Sequence, residues 1–154
     1  MITSKIGPLY LIAVDEGLVG VHWNEQPVPY LKEPLADEQS SMASHLMIAA
    51  EQVQEYLSGE RKVFDLRLAM EGTLFQREVW NELLRIPFGQ TISYSELANR
   101  VNRPKACRAV GSANGKNPLC LIVPCHRVIA SNASLGGYSG GLERKRWLLQ
   151  LESI

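Results

Sequence analysis

Apolar and polar positions in the first seventy residues define two short stretches with a turn between them. Leu9-Tyr10-Leu11-Ile12-Ala13-Val14 and Leu18-Val19-Gly20-Val21-His22-Trp23 flank Asp15-Glu16-Gly17, which predicts a β-hairpin with a glycine-containing turn. Residues 24–40 set Pro27, Pro29 and Pro34 among acids and read as a surface connection. From 41 to 57 the period becomes helical, with Leu46, Ala50, Val53 and Leu57 on one stripe and Gly59 just past the end. Residues 64–68 alternate again as a short strand.

Helix signals dominate beyond Glu71-Gly72. Thr73-x-x-Gln76 is a capping-box pattern that opens a helix with Phe75, Val79 and Leu83 on one face, ended by Pro87-Phe88-Gly89. Ser93-x-x-Glu96 predicts a second capping box and a short helix over 94–101. Asn102-Arg103 makes a turn, and Pro104 occupies the first helical position of the next helix, which is poor in bulky residues. Leu119-Cys120-Leu121-Ile122-Val123 reads as a buried strand stopped by Pro124. The prediction is an α+β fold. A small N-terminal β lobe with one helix, 1–71, precedes a mainly helical lobe, 72–154, that holds a helix-turn-helix and a candidate active-site cysteine.

Composition narrows the function classes. A chain of 154 residues makes one domain or two small lobes, and no run of about 18 apolar residues predicts a membrane span. The N-terminus lacks a signal-peptide layout. Three cysteines without a CxxC pair argue against a disulfide framework and for a reducing compartment, the cytoplasm. With only His22, His45 and His126 besides, no zinc spacing assembles, so no metal or other cofactor is expected. The zero net charge hides an asymmetry. Residues 1–75 carry five Lys/Arg against eleven acids, and residues 76–150 carry eleven against four. A basic half fits a polyanionic partner as well as it fits solvated surface charge.

Candidate chemistry centres on Pro124-Cys125-His126-Arg127. A strand that stops at Pro124 sets Cys125 at the mouth of a rigid element, with an imidazole next to it and a guanidinium one residue on. Adjacent base or positive charge raises the thiolate fraction of a cysteine, so Cys125 reads as a nucleophile, with a buried cysteine beside a satisfied histidine as the bland alternative. Two short helices, the second flanked by Arg103, Lys105 and Arg108, suggest a DNA-binding helix-turn-helix, although many helical pairs share that pattern. A helix faced by Ala, Gly and Ser suits close approach in a minor groove.

Taken together, the chain resembles the O6-alkylguanine-DNA alkyltransferases, of the zinc-free bacterial type. The resemblance covers Gly72 to Glu152. It rests on Thr73-Leu74-Phe75-Gln76, Val79-Trp80, Ile86-Pro87-Phe88-Gly89, Ser93-Tyr94, Arg108-Ala109-Val110-Gly111, Asn117-Pro118, Pro124-Cys125-His126-Arg127-Val128, Gly137-Tyr138-Ser139-Gly140-Gly141-Leu142, Lys145 and Trp147-Leu148-Leu149. The first seventy residues resemble the family in outline only, as its ribonuclease-H-like lobe. The resemblance implies direct-reversal DNA repair: one transfer of the alkyl group from O6-alkylguanine to Cys125, which inactivates the protein. O4-alkylthymine is left open as a second substrate. The implied partner is double-stranded DNA, entered through the minor groove with the damaged base flipped out, and no obligate protein partner.

The same resemblance implies roles by position. Cys125 is the acceptor, His126 its base through a water, Glu152 the acid that orients His126, and Asn117 the holder of the turn between recognition helix and active site. Arg108 fills the vacated stack, with Arg103, Lys105, Ala109 and Gly111 on the same DNA-facing helix pair. Tyr94 crowds the phosphate and later donates to the base. Tyr138 and Ser139 form a lid, the carbonyls of Cys125 and Val128 accept from the guanine amino group, and Lys145 steadies the segment. For single residues a plainer reading stands beside the implied one: Tyr94 as helix packing, Glu152 as a solvated charge, Asn117 as a turn former. Cys107 departs from the family, where an Ala commonly sits, and offers a second thiol near the DNA face. A lesion sensor or DNA-binding regulator and a cysteine hydrolase are the competing classes. Family sensors carry Trp where Cys125 stands, and no oxyanion-hole motif supports the hydrolase.

Overall fold

A computed structural model describes residues 1–23 and 40–153, so all of the predicted proline-rich connection except Ser40 lies outside the described residues. The chain divides into two units, Met1–Met70 and Glu71–Ile154.

In the first unit, β1 (Tyr10–Val14) and β2 (Gly17–His22) pair antiparallel from Tyr10↔His22 to Val14↔Gly17, with an irregularity between Ile12 and Ala13. Gly17 is required where it stands. Its φ is +146°, and a Cβ there would lie 2.5 Å from the Arg67 carbonyl oxygen. That close approach lets Leu18 N donate to Arg67 O and Ala69 N donate to Leu18 O, at 2.8 and 2.9 Å. The strand expected over 64–68 is therefore one parallel bridge, Leu18 to Leu68. The Gln52 side-chain amide takes over its other bonds, donating to Asp65 O and accepting from Asp65 N, both at 2.8 Å.

Helix α1 (Ser41–Ser58) starts at Ser40, whose hydroxyl accepts from Ala43 N, and ends at Gly59 in the left-handed region. Its buried face is Ala43, Ala49, Gln52, Val53 and Tyr56. The predicted stripe shares only Val53 with it, because Tyr56 and Gln52, polar by type, point inward and Leu46, Ala50 and Leu57 lie at the flanks. Leu9, Ile12, Leu18, Val21 and Trp23 complete this unit's core.

In the second unit, α2 (Leu74–Leu83) carries the full capping box between Thr73 and Gln76. Trp80 ties it to α4 (Cys107–Gly115) by donating to Ala113 O at 2.9 Å. Between them, β3 (Ile92–Ser93) pairs in parallel with β4 (Val128–Ile129), and α3 (Tyr94–Arg100) follows β3 directly. Only half of the second capping box forms. Ser93 accepts from Glu96 N, while the Glu96 carboxylate turns to Arg100, 2.5 Å away. Pro104 lies in a turn closed by Ala106 N on Arg103 O, and α4 begins three residues after it. The last helix, α5 (Leu142–Glu152), returns to the active-site turn.

The apolar run 119–123 is a buried turn and not a strand. Leu121 has φ +73°, and Val123 N donates to Leu119 O at 2.9 Å. Asn117 closes the turn by donating to Val123 O at 2.7 Å and accepting from Leu119 N at 2.9 Å. Those bonds satisfy backbone groups that a strand would need neighbours to satisfy. Apolar character here reports burial, not extension.

Candidate active site

Cys125 begins a single 3-10 turn, Cys125–Arg127. Pro124, at φ −80° and ψ 63°, makes an inverse γ-turn in which Cys125 N donates to Val123 O at 2.8 Å. The thiol is buried, with 1% of the residue exposed. Burial pushes its pKa above the usual cysteine value, opposed by the Asn117 amide, the Lys145 ammonium and the nearby backbone N–H groups of Cys125 and His126. The thiolate enrichment expected from neighbouring charge is thus outweighed by desolvation, and the resting group is a thiol that needs a base.

His126 is fully buried, and its Nε2 lies 2.9 Å from Glu152 Oε1. An ionised carboxylate only accepts, so Nε2 carries the proton and Nδ1 is the acceptor nitrogen. Burial lowers the His126 pKa, Glu152 opposes that, and Arg127 and Lys145 lower it further. Glu152 is therefore no solvated charge. It is buried at the end of α5, held by Arg127 Nε and Nη2 at 2.9 Å each, and it accepts from Gly89 N at 3.3 Å. The third arm of Arg127 donates from Nη1 to Ile86 O at 2.5 Å.

Lys145 is also fully buried. Its ammonium donates to Val128 O at 2.6 Å, to Gly137 O at 3.2 Å and to Leu135 O, joining the 135–137 segment to β4. Burial depresses its pKa to about 8, with Cys125 opposing. Tyr94, the first residue of α3, lies between Gly111 of α4 and Gly136. A Cβ would stand 3.7 Å from its ring at the former and 3.0 Å at the latter. The Tyr94 pKa is raised by burial and by Cys125, and the Asn114 side chain opposes this.

Asn114 is a site residue that the sequence reading missed. Its Nδ2 donates to Cys125 O at 3.3 Å, linking α4 to the nucleophile's backbone, and its Oδ1 is buried without a hydrogen-bond partner. The available signal was an amide four residues after Val110, on the apolar face of α4.

Both units match known proteins. Residues 1–70 match the family model described as 6-O-methylguanine DNA methyltransferase, ribonuclease-like domain, and residues 74–154 match that family's DNA binding domain. The methylated-DNA–protein-cysteine methyltransferase of Methanosarcina acetivorans is 45% identical over 149 residues, covering 97% of this chain and 94% of the relative. Its counterpart in Mycobacterium bovis is 44% identical over 151 residues, covering 98% and 89%. The crystal structure of Mycobacterium tuberculosis OGT in complex with DNA superposes with a TM-score of 0.87 at 43% identity, covering 99% of this chain and 90% of that one. The chain belongs to the 6-O-methylguanine DNA methyltransferase family.

The remaining site residues of this methyltransferase-family chain fall on two surfaces. Arg108 and Ala109 are exposed on α4 and Lys105 is exposed in the turn before it, whereas Gly111 faces the Tyr94 ring and not the open side of the helix. Arg103 is paired with Glu78 and stacked over Phe75, its guanidinium carbon 5.0 Å from the ring centre, so its charge is already engaged. Cys107 is half-buried with its thiol turned to Pro104 O at 3.7 Å. Ser139 is exposed and Tyr138 half-buried in the segment that Lys145 anchors. Among the described residues no group of three His, Cys, Asp or Glu side chains could hold a metal ion, and no helix is long and apolar enough to cross a membrane.

Proposed function

We propose that this protein repairs DNA by direct reversal, moving the alkyl group of O6-alkylguanine onto Cys125 in a single turnover. The observation that carries this reading is a buried cysteine whose backbone is tied to α4 through Asn114, followed in the chain by a histidine that a buried Glu152–Arg127 pair orients.

His126 accepts the Cys125 proton at Nδ1 through an intervening water, leaving a thiolate. The sulfur electron pair forms the S–C bond as the C–O6 bond breaks; the C–O6 bonding pair stays on the guanine O6, and the guanine recovers a proton from the site. The product thioether has no electrophilic carbonyl for water to attack, so the thiol is not regenerated. Asn117 holds the turn beside the thiol. The lid at Tyr138 and Ser139, anchored by Lys145, covers a base flipped out of the duplex, at a cost of a few kcal/mol. The carbonyls of Cys125 and Val128 face the guanine amino group. Residues 72–154 form the DNA-binding and transfer domain, 1–71 the accompanying lobe, and the protein works in the cytoplasm on chromosomal DNA. Arg108 and Ala109 on the open side of α4, with Lys105 in the turn before it, meet the minor groove, and Arg108 enters the gap.

Mass spectrometry after mixing with a duplex containing one O6-methylguanine tests the reading. The expected result is one methyl on Cys125 per protein and none in Cys125→Ser. Catalytic turnover without a modified cysteine, or tight binding with no transfer, would overturn it.

A further inference from the structure

Arg127 lies next to the reactive pair yet spends its donors inside the protein. Nε and Nη2 fork onto Glu152, Nη1 is fixed on Ile86 O, and the guanidinium lies 5.9 Å from the Phe88 ring centre. The oxygen that it shares, Glu152 Oε1, is the one that receives His126 Nε2–H. Glu152 is also the last residue of α5, where the helix dipole disfavours an anion, and it is buried. Without a compensating cation such a carboxylate has two ways to shed its cost. It takes a proton itself, which releases the imidazole from its fixed tautomer, or it draws a proton onto His126, which uses up the base before Cys125 can be deprotonated.

We propose that Arg127 is a positioning residue of the transfer reaction, holding Glu152 ionised on the oxygen it shares with His126 and so keeping the imidazole neutral and able to accept a proton. This role presupposes alkyl transfer to Cys125. The charged and titratable groups facing His126 are Glu152 and Lys145 from α5, and Arg127 and Cys125 from its own turn. Arg127 and Lys145 disfavour the imidazolium and Glu152 favours it. With Arg127 in place, the proton leaving Cys125 converts a thiol and an imidazole into a thiolate and an imidazolium. The local sum of charge does not change.

The test is the pH dependence of single-turnover transfer from free O6-benzylguanine, which removes DNA binding from the measurement. In Arg127→Met the acid limb of the rate profile moves to higher pH. A shift of one unit makes the loss about tenfold at pH values well below both limbs and small at alkaline pH. Arg127→Lys keeps the charge without the fork and restores the limb close to its wild-type position. Glu152→Gln removes the group that favours the imidazolium and moves the limb the opposite way. A loss of rate equal at all pH values in Arg127→Met, or a limb unmoved in Glu152→Gln, overturns the proposal. Should Arg127→Met fail to fold, the Lys and Gln variants decide: a limb raised in Arg127→Lys, or unmoved in Glu152→Gln, overturns it. A wild-type protein inert to O6-benzylguanine and to methylated duplex would instead sink the transfer reading itself.

Discussion

The Lys145 ammonium lies 2.6 Å from the Val128 carbonyl, and among the described residues no carboxylate comes within ion-pair distance of it. A buried cation served by neutral carbonyls is stable only where its geometry is well held, and the titratable group that favours its charge is Cys125, whose thiol it favours ionising in turn. Lys145→Met leaves the carbonyls of Val128, Leu135 and Gly137 without that donor, at about 1–3 kcal/mol for each one that water does not reach. The expected outcome is slower transfer from both duplex and free O6-benzylguanine, because pocket and nucleophile are both affected. Single-turnover rates on the two substrates check this, and a defect confined to duplex DNA would place Lys145 in DNA handling instead.

The same lysine gives a signed pH prediction. Its folded pKa is depressed to about 8, below the 10.5 of a free side chain. Between those values the unfolded chain holds a proton that the folded chain has released, so this group's contribution to stability rises with pH across that window. Transfer runs the other way, since the cation facing the thiolate disappears above pH 8. Urea unfolding and transfer rates from pH 7.5 to 10.5, in wild type and in Lys145→Met, test both arms. The wild-type stability relative to the variant increases with pH while the wild-type rate advantage shrinks.

What was legible in the chain follows from how local each signal is. The hairpin around Asp15-Glu16 and the Thr73–Gln76 box are set by residues within a few positions of one another, and both form as read. The run 119–123 was misread because an unbroken apolar stretch has no period that separates a strand from a buried turn, and the side chain that closes it, Asn117, stands outside the run. Cys125, His126 and Glu152 could be named from the family motif. The engagement of Arg127 with Glu152 and the three-carbonyl seat of Lys145 join residues 25 and up to 17 positions apart, which no window along the chain exposes. The thiol's raised pKa is likewise a consequence of burial, and neighbours in sequence pointed the opposite way.

Asn117 is predicted to be a stability residue as well as a site residue. Asn117→Ala leaves Leu119 N unpaired in the core, at about 1–3 kcal/mol for a buried unpaired group, and takes from Val123 O one of its two donors, Cys125 N being the other. Asn117→Asp keeps the acceptor for Leu119 N, and when protonated at low pH its carboxyl O–H can replace the lost donor to Val123 O, so it recovers part of the loss there. Urea midpoints for the two variants check this order. A midpoint unchanged in Asn117→Ala would show that the turn closes without its side-chain tie.

Arg108 is exposed on α4, on the face opposite the buried Val110, Ala113 and Asn114, and it forms the basis of the last prediction. If it fills the stack vacated by the flipped guanine, Arg108→Ala slows repair of duplex DNA strongly and leaves the reaction with free O6-benzylguanine near normal, because only the duplex must be opened. Binding to undamaged duplexes should be weak, salt-sensitive and nearly indifferent to sequence. Counterion release weakens with added salt, and Ala109 and its small neighbours have little with which to tell base pairs apart in a minor groove. Removing Arg108 lowers the salt slope by about one when it contacts a phosphate and leaves the slope unchanged when it only stacks. Titrations of undamaged duplexes at several salt concentrations, set beside single-turnover rates on both substrates, separate these cases. Equal rate losses on duplex and free base would move Arg108 from flipping to the pocket or to folding, and a strong sequence preference surviving at high salt would favour a regulator over a repair protein.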